Sequence, residues 1–415
     1  MSHRIPREQY LEKLRLYRGR PLIKVISGIR RCGKSTILQM FMEEMLASGE
    51  VPNEQVLSLN FEDMAWRHLL TADALYDHLS GNLDFTRPFC VFLDEIQNVD
   101  GFERVLDSLF VQPGADIYIT GSNARFLSSD LATLLTGRYV EIRAWPLSFA
   151  EYVAAFDSVV DLAAAFNNYV TCGSFPEAVN LFKISPASVR LYLQNVLDSI
   201  LFKDIVPRHS IKDVVKLQNV VKFIFDNTSN VTSPKKIADT LTSQNRKTSN
   251  HTVESYLDAL AASFLIHPAD RFDVKGKGLL QTLRKYYVAD PALRTLLADT
   301  PPSDFGRVLE NVVFLELSRR FEKVWVGKNR DKEIDFVTRS GSGVYAYYQV
   351  ALTVRDPQTL ARELSAFPIS DHYAKTLLTL DSEEGSHNGI RQRNALSWLL
   401  VPTEAYPDLP VPFSG

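Results

Sequence analysis

A chain of 415 residues, 45% hydrophobic and 23% charged, is long enough for two or three domains with real cores and is not the composition of a disordered protein. Its formal net charge of -3 excludes a chain-wide field that would attract a polyanion, so any nucleic-acid contact must come from local basic patches. Cys32, Cys90 and Cys172 show no C-x-x-C spacing and predict neither a disulfide framework nor a zinc site, and the lack of an apolar leader or span-length apolar run predicts a cytoplasmic protein without membrane contact.

In chain order, "LIKVI" is β-branched enough for a strand and "STILQMFMEEML" carries apolar residues at helical spacing. The residues between them therefore form a strand-to-helix turn. The first N–H groups of such a helix lack intrahelical partners and its dipole adds partial positive charge, which together make an anion site. Gly28, Gly33, Lys34 and Ser35 fit G-x-x-x-x-G-K-[ST], the phosphate-binding loop. Gly28 and Gly33 let the backbone bend around the β-phosphate, Lys34 reaches the β- and γ-phosphates, and Ser35, followed by the second hydroxyl of Thr36, ligates Mg²⁺. Arg30 and Arg31 either neutralise phosphate charge or face a neighbouring subunit; two solvated loop arginines are the plain alternative. Cys32, inside the loop, reads as a small buried thiol. The expected ligands are ATP and Mg²⁺.

Next, "EQVLSLNFED", "RPFCVFLDEIQNV" and "ADIYITGSN" read as strands, and "LYDHLSGNL" and "FERVLDSLF" as amphipathic crossover helices. The alternation predicts a doubly wound α/β domain, an ATPase core over residues 1–148. Asp94 and Glu95 close an apolar strand, where an Asp holds Mg²⁺ through water and a Glu polarises the attacking water. Ser122 and Asn123 end the following strand; Asn123 positions water or senses the γ-phosphate, unless the pair only caps a turn. Arg138 follows Gly137 past a helix end, where a guanidinium either acts in trans on the next subunit's γ-phosphate or complements the helix dipole. Arg125 is the competing arginine. A trans arginine requires a homo-oligomer, with a hexamer as the candidate number.

From "PLSFAEY" the strands stop, and residues 149–210 read as a helical lid. Residues 211–300 offer three helices and two strand-like runs separated by "KGKG", the outline of a winged helix-turn-helix, although the same spacing suits a plain packing module. Lys235, Lys236, Arg246, Lys247, Lys275 and Lys277 give this stretch local positive charge suited to duplex or branched DNA, or simply a solvated basic face. Residues 301–415 read as a separate small α/β domain.

The motifs "GIRRCGKST", "VFLDEIQNV", "ITGSNARFL", "LLTGRYVEI" and "PLSFAEY", continued by "GSFPEAV", "KDIVPRH", "KYYVADPAL", "GRVLENVVFLEL", "DKEIDFV" and "YYQVALTV", resemble the bacterial and archaeal AAA-type ATPases that carry a C-terminal domain of unknown function. The resemblance covers most of the chain. It implies an AAA+ core, a winged-helix module and a terminal fold similar to the PD-(D/E)xK nucleases. On that pattern Glu310 lies on the leading helix and Asp335 in "EIDFV", while Gln349 to Ala351 stand where the metal-binding acid and lysine belong. An amide and a methyl group there predict a fold retained for binding or assembly without cleavage, even though Glu310, Glu333 and Asp335 remain as carboxylates. Two functions fit: an oligomeric ATP-driven motor or remodeller acting on DNA, or an ATP-dependent switch that assembles and controls a protein partner without DNA. A small-molecule kinase fits less well, because the "DE" pair suits water activation and the appended domains would be unexplained.

Overall fold

The computed structural model describes residues 4–123, 137–156, 161–244, 246, 248–276, 278–297, 304–368 and 371–401; Arg125, Lys247 and Lys277 lie outside the described residues. The chain divides into two compact units, Met1–Pro146 with Ala262–Phe264, and Leu147–Ala261 with Leu265–Gly415.

The first unit contains α1 (Glu8–Tyr17), β1 (Ile23–Ser27), α2 (Lys34–Ser48), β2 (Val56–Asn60), α3 (Ala72–Asn82), β3 (Phe89–Asp94), α4 (Phe102–Phe110), β4 (Ala115–Gly121) and β5 (Tyr139–Arg143). Its five strands form one parallel sheet in the order β2-β3-β4-β1-β5. Every residue of β1 and β3 is buried, as in strands covered on both faces, and the one buried lysine of β1, Lys24, is paired with Asp116 of β4. On one face Leu75 and Leu79 of α3 and Val105, Leu106 and Leu109 of α4 pack with Val25, Val91 and Ile119. On the other, Phe41 of α2 meets Tyr118, which stacks on Phe92 at 4.8 Å. Because all strands run the same way, the segments after β1, β3 and β4 emerge at one edge of the sheet. That edge gathers "GIRRCGKS", "DE" and "GSN".

The second unit opens with α5 (Phe149–Ala154), α6 (Leu162–Cys172), α7 (Pro176–Ile184) and α8 (Pro186–Ser199), which continues as a π-helical turn over Ile200–Ile205. In "PLSFAEY", Ser148 and Glu151 close a capping box on α5, with Ser148 Oγ accepting from the Glu151 amide at 3.1 Å. Then come α9 (Val214–Asp226), α10 (Pro234–Ser243), α11 (Asn250–Ala262), β6 (Ile266–Asp273), β7 (Gly278–Val288), α12 (Pro291–Leu297) and α13 (Phe305–Arg320). The remainder is β8 (Lys323–Asn329), β9 (Lys332–Arg339), β10 (Tyr345–Val350), α14 (Pro357–Leu364), β11 (Ala374–Thr379), β12 (Gly385–His387), β13 (Ile390–Asn394) and α15 (Ala395–Leu400).

These eight strands form one mixed sheet in the order β12-β13-β11-β10-β9-β8-β6-β7. The hairpin β6–β7, read from sequence as part of a 211–300 module, is thus hydrogen-bonded into the sheet of the following segment, with Arg271, Phe272 and Asp273 opposite Val326, Gly327 and Lys328. Phe272 stacks on Trp325 at 5.1 Å across that junction. A boundary at residue 300 therefore cuts a single sheet, because alternation within a strand says nothing about which strand it pairs with. Two distant motifs also meet: the fully buried Asp290 of "YYVADPAL" accepts from Ser174 N at 2.5 Å and Oγ at 2.6 Å in "GSFP", and from Ala292 N at 2.8 Å at the start of α12. Among the described residues, no helix is long and apolar enough to cross a membrane.

Candidate functional site

The loop between β1 and α2 is shaped by close backbone approach. At Gly28 a Cβ would lie 2.1 Å from the Ala144 carbonyl oxygen, so no side chain fits. Gly33 has φ 100°, a left-handed conformation that glycine adopts without strain, immediately before α2. The first turn of α2 has neither a capping side chain nor an acidic residue, which leaves its N–H groups directed to an anion. Arg7, 2% exposed, braces the loop by donating to Cys32 O at 2.9 Å and Trp145 O at 2.6 Å. Cys32 is fully buried, and burial pushes its thiol up; it is a packing group.

Lys34 extends into the same interior, its Nζ 3.4 Å from Ile29 O and 3.4 Å from Glu95 Oε1. Thr120 on β4 joins the two carboxylate positions: its hydroxyl donates to Asp94 Oδ1 at 2.5 Å and accepts from the Glu95 amide at 2.8 Å. The Ser35 side chain also hydrogen-bonds Asp94. Burial raises the Asp94 carboxyl, opposed by these bonds from Thr120 and Ser35. For Glu95 burial also acts upward, but the Lys34 charge, the Gln97 amide bond and the Arg30 charge outweigh it and hold the carboxyl below its ordinary value. Glu95 is thus a buried carboxylate stabilised in its charged form by Lys34, Gln97 and Arg30. Gln97 donates its amide to Glu95 Oε2. At the end of β4, Asn123 is 9% exposed, and the Ser122 Oγ is buried without a hydrogen-bond partner among the described residues. The hard oxygens of Ser35 and Asp94 fit Mg²⁺, which takes few protein ligands and fills its shell with water and phosphate oxygens. Among the described residues, no group of three or more His, Cys, Asp or Glu forms a metal site.

Residues 20–153 match the family described as AAA domain, and residues 163–304 match a Domain of unknown function (DUF8612). An uncharacterized protein of Haemophilus influenzae is 38% identical over 401 residues, covering 95% of this chain and 98% of the relative. The chain belongs to that family of AAA-domain proteins. An uncharacterized protein of Methanocaldococcus jannaschii is 30% identical over 330 residues, covering 76% of this chain and 71% of the relative. Among solved structures, the Walker-type ATPase paby2304 of Pyrococcus abyssi shares the fold, with a TM-score of 0.50 at 18% identity over 71% of this chain and 96% of that one.

The AAA domain thus brings together Gly28, Gly33, Lys34, Ser35, Asp94 and Glu95 at one edge of the sheet, with Thr36 in the same first turn of α2. Arg30 borders them, donating to Glu62 Oε1 at 2.8 Å; Arg31 is exposed, with φ 68°. Arg138 is placed elsewhere. It precedes β5, its carbonyl accepts from Ile23 N at 2.8 Å at the start of β1, and its guanidinium bonds Asp107 of α4 at 2.9 Å. It therefore lies at the sheet edge opposite the loop of its own chain. Sequence reading missed Arg7 and Thr120: a lone arginine carries no motif, and the threonine's importance depends on β4 lying beside β3.

Proposed function

We propose that this protein hydrolyses ATP with Mg²⁺ and does so as a homo-oligomer. The observation that carries this reading is Glu95, buried and paired to the phosphate-loop Lys34 at 3.4 Å, one residue from the Asp94–Ser35 contact. The N-terminus of α2 and Lys34 hold the β- and γ-phosphates, with Arg30 and Arg31 adding positive charge at the loop. Ser35 and Asp94 hold Mg²⁺, which when bound neutralises charge on the phosphate oxygens. When phosphate oxygens engage Lys34, the ammonium leaves Glu95, and the freed carboxylate orients the attacking water and takes its proton. Asn123 and the buried Ser122 hydroxyl position that water or report the γ-phosphate. Arg138 serves the site of a neighbouring subunit.

For the target, residues 211–300 have the element order of a winged helix, including a bridge between Thr232 and Arg284, and Lys235, Lys236 and Lys275 are exposed there. That supports a remodeller acting on duplex or branched DNA. The solvent face of α11 favours the second reading, an ATP-dependent switch acting on a protein partner: it presents His251, Glu254, Ser255 and Asp258, without Lys or Arg. A helix entering a groove with two exposed carboxylates would repel the phosphates. ATP turnover is therefore expected to be unchanged by duplex, single-stranded or branched DNA at two salt concentrations. Stimulation that falls as salt rises would establish the DNA reading, and absence of any ATP turnover would refute the hydrolase itself.

The α13–β11 segment, helix, three antiparallel strands, helix and parallel strand, has the order of a nuclease-like core. Gln349 is spent on structure, accepting from Asp335 N at 3.2 Å and donating to Glu363 Oε2 at 2.8 Å. With Ala351 beyond it, no ammonium follows on β10. Purified protein is expected to leave plasmid DNA intact with Mg²⁺; cleavage that disappears in Asp335→Asn would overturn this.

A further inference from the structure

In the second unit a buried ammonium sits among three carboxylates drawn from two other elements. Lys285 of β7, its side chain 4% exposed, places Nζ 2.9 Å from Glu310 Oε1 on α13, 2.8 Å from Glu333 Oε1 on β9 and 3.9 Å from Asp335 Oδ1 on β9. Two residues along the same strand face, the Tyr287 hydroxyl donates to the same Glu310 oxygen at 2.8 Å. Asn311, next to Glu310, holds the end of β7 with both ends of its amide, accepting from Val288 N at 2.8 Å and donating to Val288 O at 2.9 Å. Asp335 Oδ2 is fixed by the Val350 amide at 2.8 Å. The motifs "KYYVAD", "LENVV" and "KEIDFV" thus converge on one nitrogen, although 25 residues separate Lys285 from Glu310 in the chain.

The electrostatics agree with a fixed cation. Burial works against the Lys285 charge, but Glu310, Asp335 and Glu333 outweigh it and keep the lysine protonated. Burial raises Asp335 well above its ordinary value and raises Glu310 too, while the Lys285 charge acts on both in the opposite direction. The contacts to Glu310 and Glu333 have the length of charge-assisted N–H···O bonds, and Asp335 lies beyond hydrogen-bond reach as a third charge. Among the described residues, this cluster is not arranged as a metal site.

We propose that the Lys285 ammonium is the resident cation of this pocket, standing where three such carboxylates would otherwise gather a divalent ion and tying the β6–β7 hairpin to α13 and β9. The clamp is then independent of metal, and the pocket becomes a divalent-cation site only when the lysine is removed.

The test uses the full chain without nucleotide and Mn²⁺ as the probe, read by spin resonance and by melting temperature. The parental chain is expected to hold no Mn²⁺ that depends on Asp335 and to melt at the same temperature with and without it. Lys285→Met is expected to melt about 10 °C lower, because a carboxylate group is left without its cation. It should also gain a bound Mn²⁺ that restores part of the loss, and a further Asp335→Asn change should remove that Mn²⁺. If the single variant does not fold, Lys285→Met/Glu333→Gln, which deletes one charge of each sign, is read in the same way through Glu310 and Asp335. Mn²⁺ bound by the parental chain and lost in Asp335→Asn would overturn the proposal, as would a folded lysine-free variant that gains none.

Discussion

Arg138→Ala is expected to lower ATP turnover by about 10³- to 10⁵-fold while leaving nucleotide binding intact, the effect of withdrawing a cation that meets the γ-phosphate only in the transition state. Within one chain the five residues of β1 separate Arg138 from the phosphate loop, a span of roughly 15 Å at the rise of a strand. The side chain cannot serve its own site across that distance. It is 43% exposed and held by Asp107 in a pair that is itself partly open to water. Such pairs contribute only about 0–1 kcal/mol, so exchanging Asp107 for a neighbour's phosphate oxygens costs little. Asp107→Ala should accordingly leave turnover near the parental rate. Specific activity should rise with protein concentration. A mixture of Arg138→Ala and Glu95→Gln subunits should recover some hydrolysis, because an intact Arg138 then faces an intact Glu95 at some interfaces. A monomer whose turnover ignores concentration would reduce Arg138 to a contact between α4 and the start of β5.

Lys34→Ala should abolish nucleotide binding, whereas Glu95→Gln should retain it and slow turnover by about 10²- to 10⁴-fold, the usual worth of a positioned general base. The Lys34–Glu95 contact adds a sharper expectation. Both side chains are nearly buried, so in Glu95→Gln the ammonium loses its carboxylate and nucleotide phosphates become its main counter-charge. Glu95→Gln should therefore bind ATP more tightly than the parental chain and be less stable without it. Equilibrium nucleotide titration, melting temperature and single-turnover hydrolysis check the three statements. Hydrolysis by Glu95→Gln at the parental rate would remove Glu95 from the mechanism.

Much of the nucleotide site was legible because its chemistry depends on short spacings. A loop wrapped around phosphate needs glycines where the backbone passes close to a carbonyl, as at Gly28, and a lysine and hydroxyl at the first turn of the following helix. Those demands fall within eight consecutive residues. The same holds for Asp94 and Glu95 at the end of a doubly covered strand. Residues that act from outside the motifs left no such trace. Arg7 reaches Cys32 from the first helix region, Thr120 joins Asp94 and Glu95 from the adjacent strand, and Lys285 meets Glu310, Glu333 and Asp335 from a hairpin.

By itself the sequence determined the P-loop α/β character of the first unit and the chain order of its first four strands and the helices after β1, β2 and β3, because periodicity and turn chemistry are local; it did not mark α1 or β5. The tertiary structure alone decided that β4 lies between β1 and β3, that Arg138 stands at the far edge of its own sheet, and that β6–β7 belongs to the eight-stranded sheet. It also decided that a lysine fills the carboxylate pocket for which "QVA" had offered only an amide and a methyl group. Strand pairing and charge burial are set by which surfaces remain to be covered once the chain collapses, and residues far apart in sequence contribute to each of them.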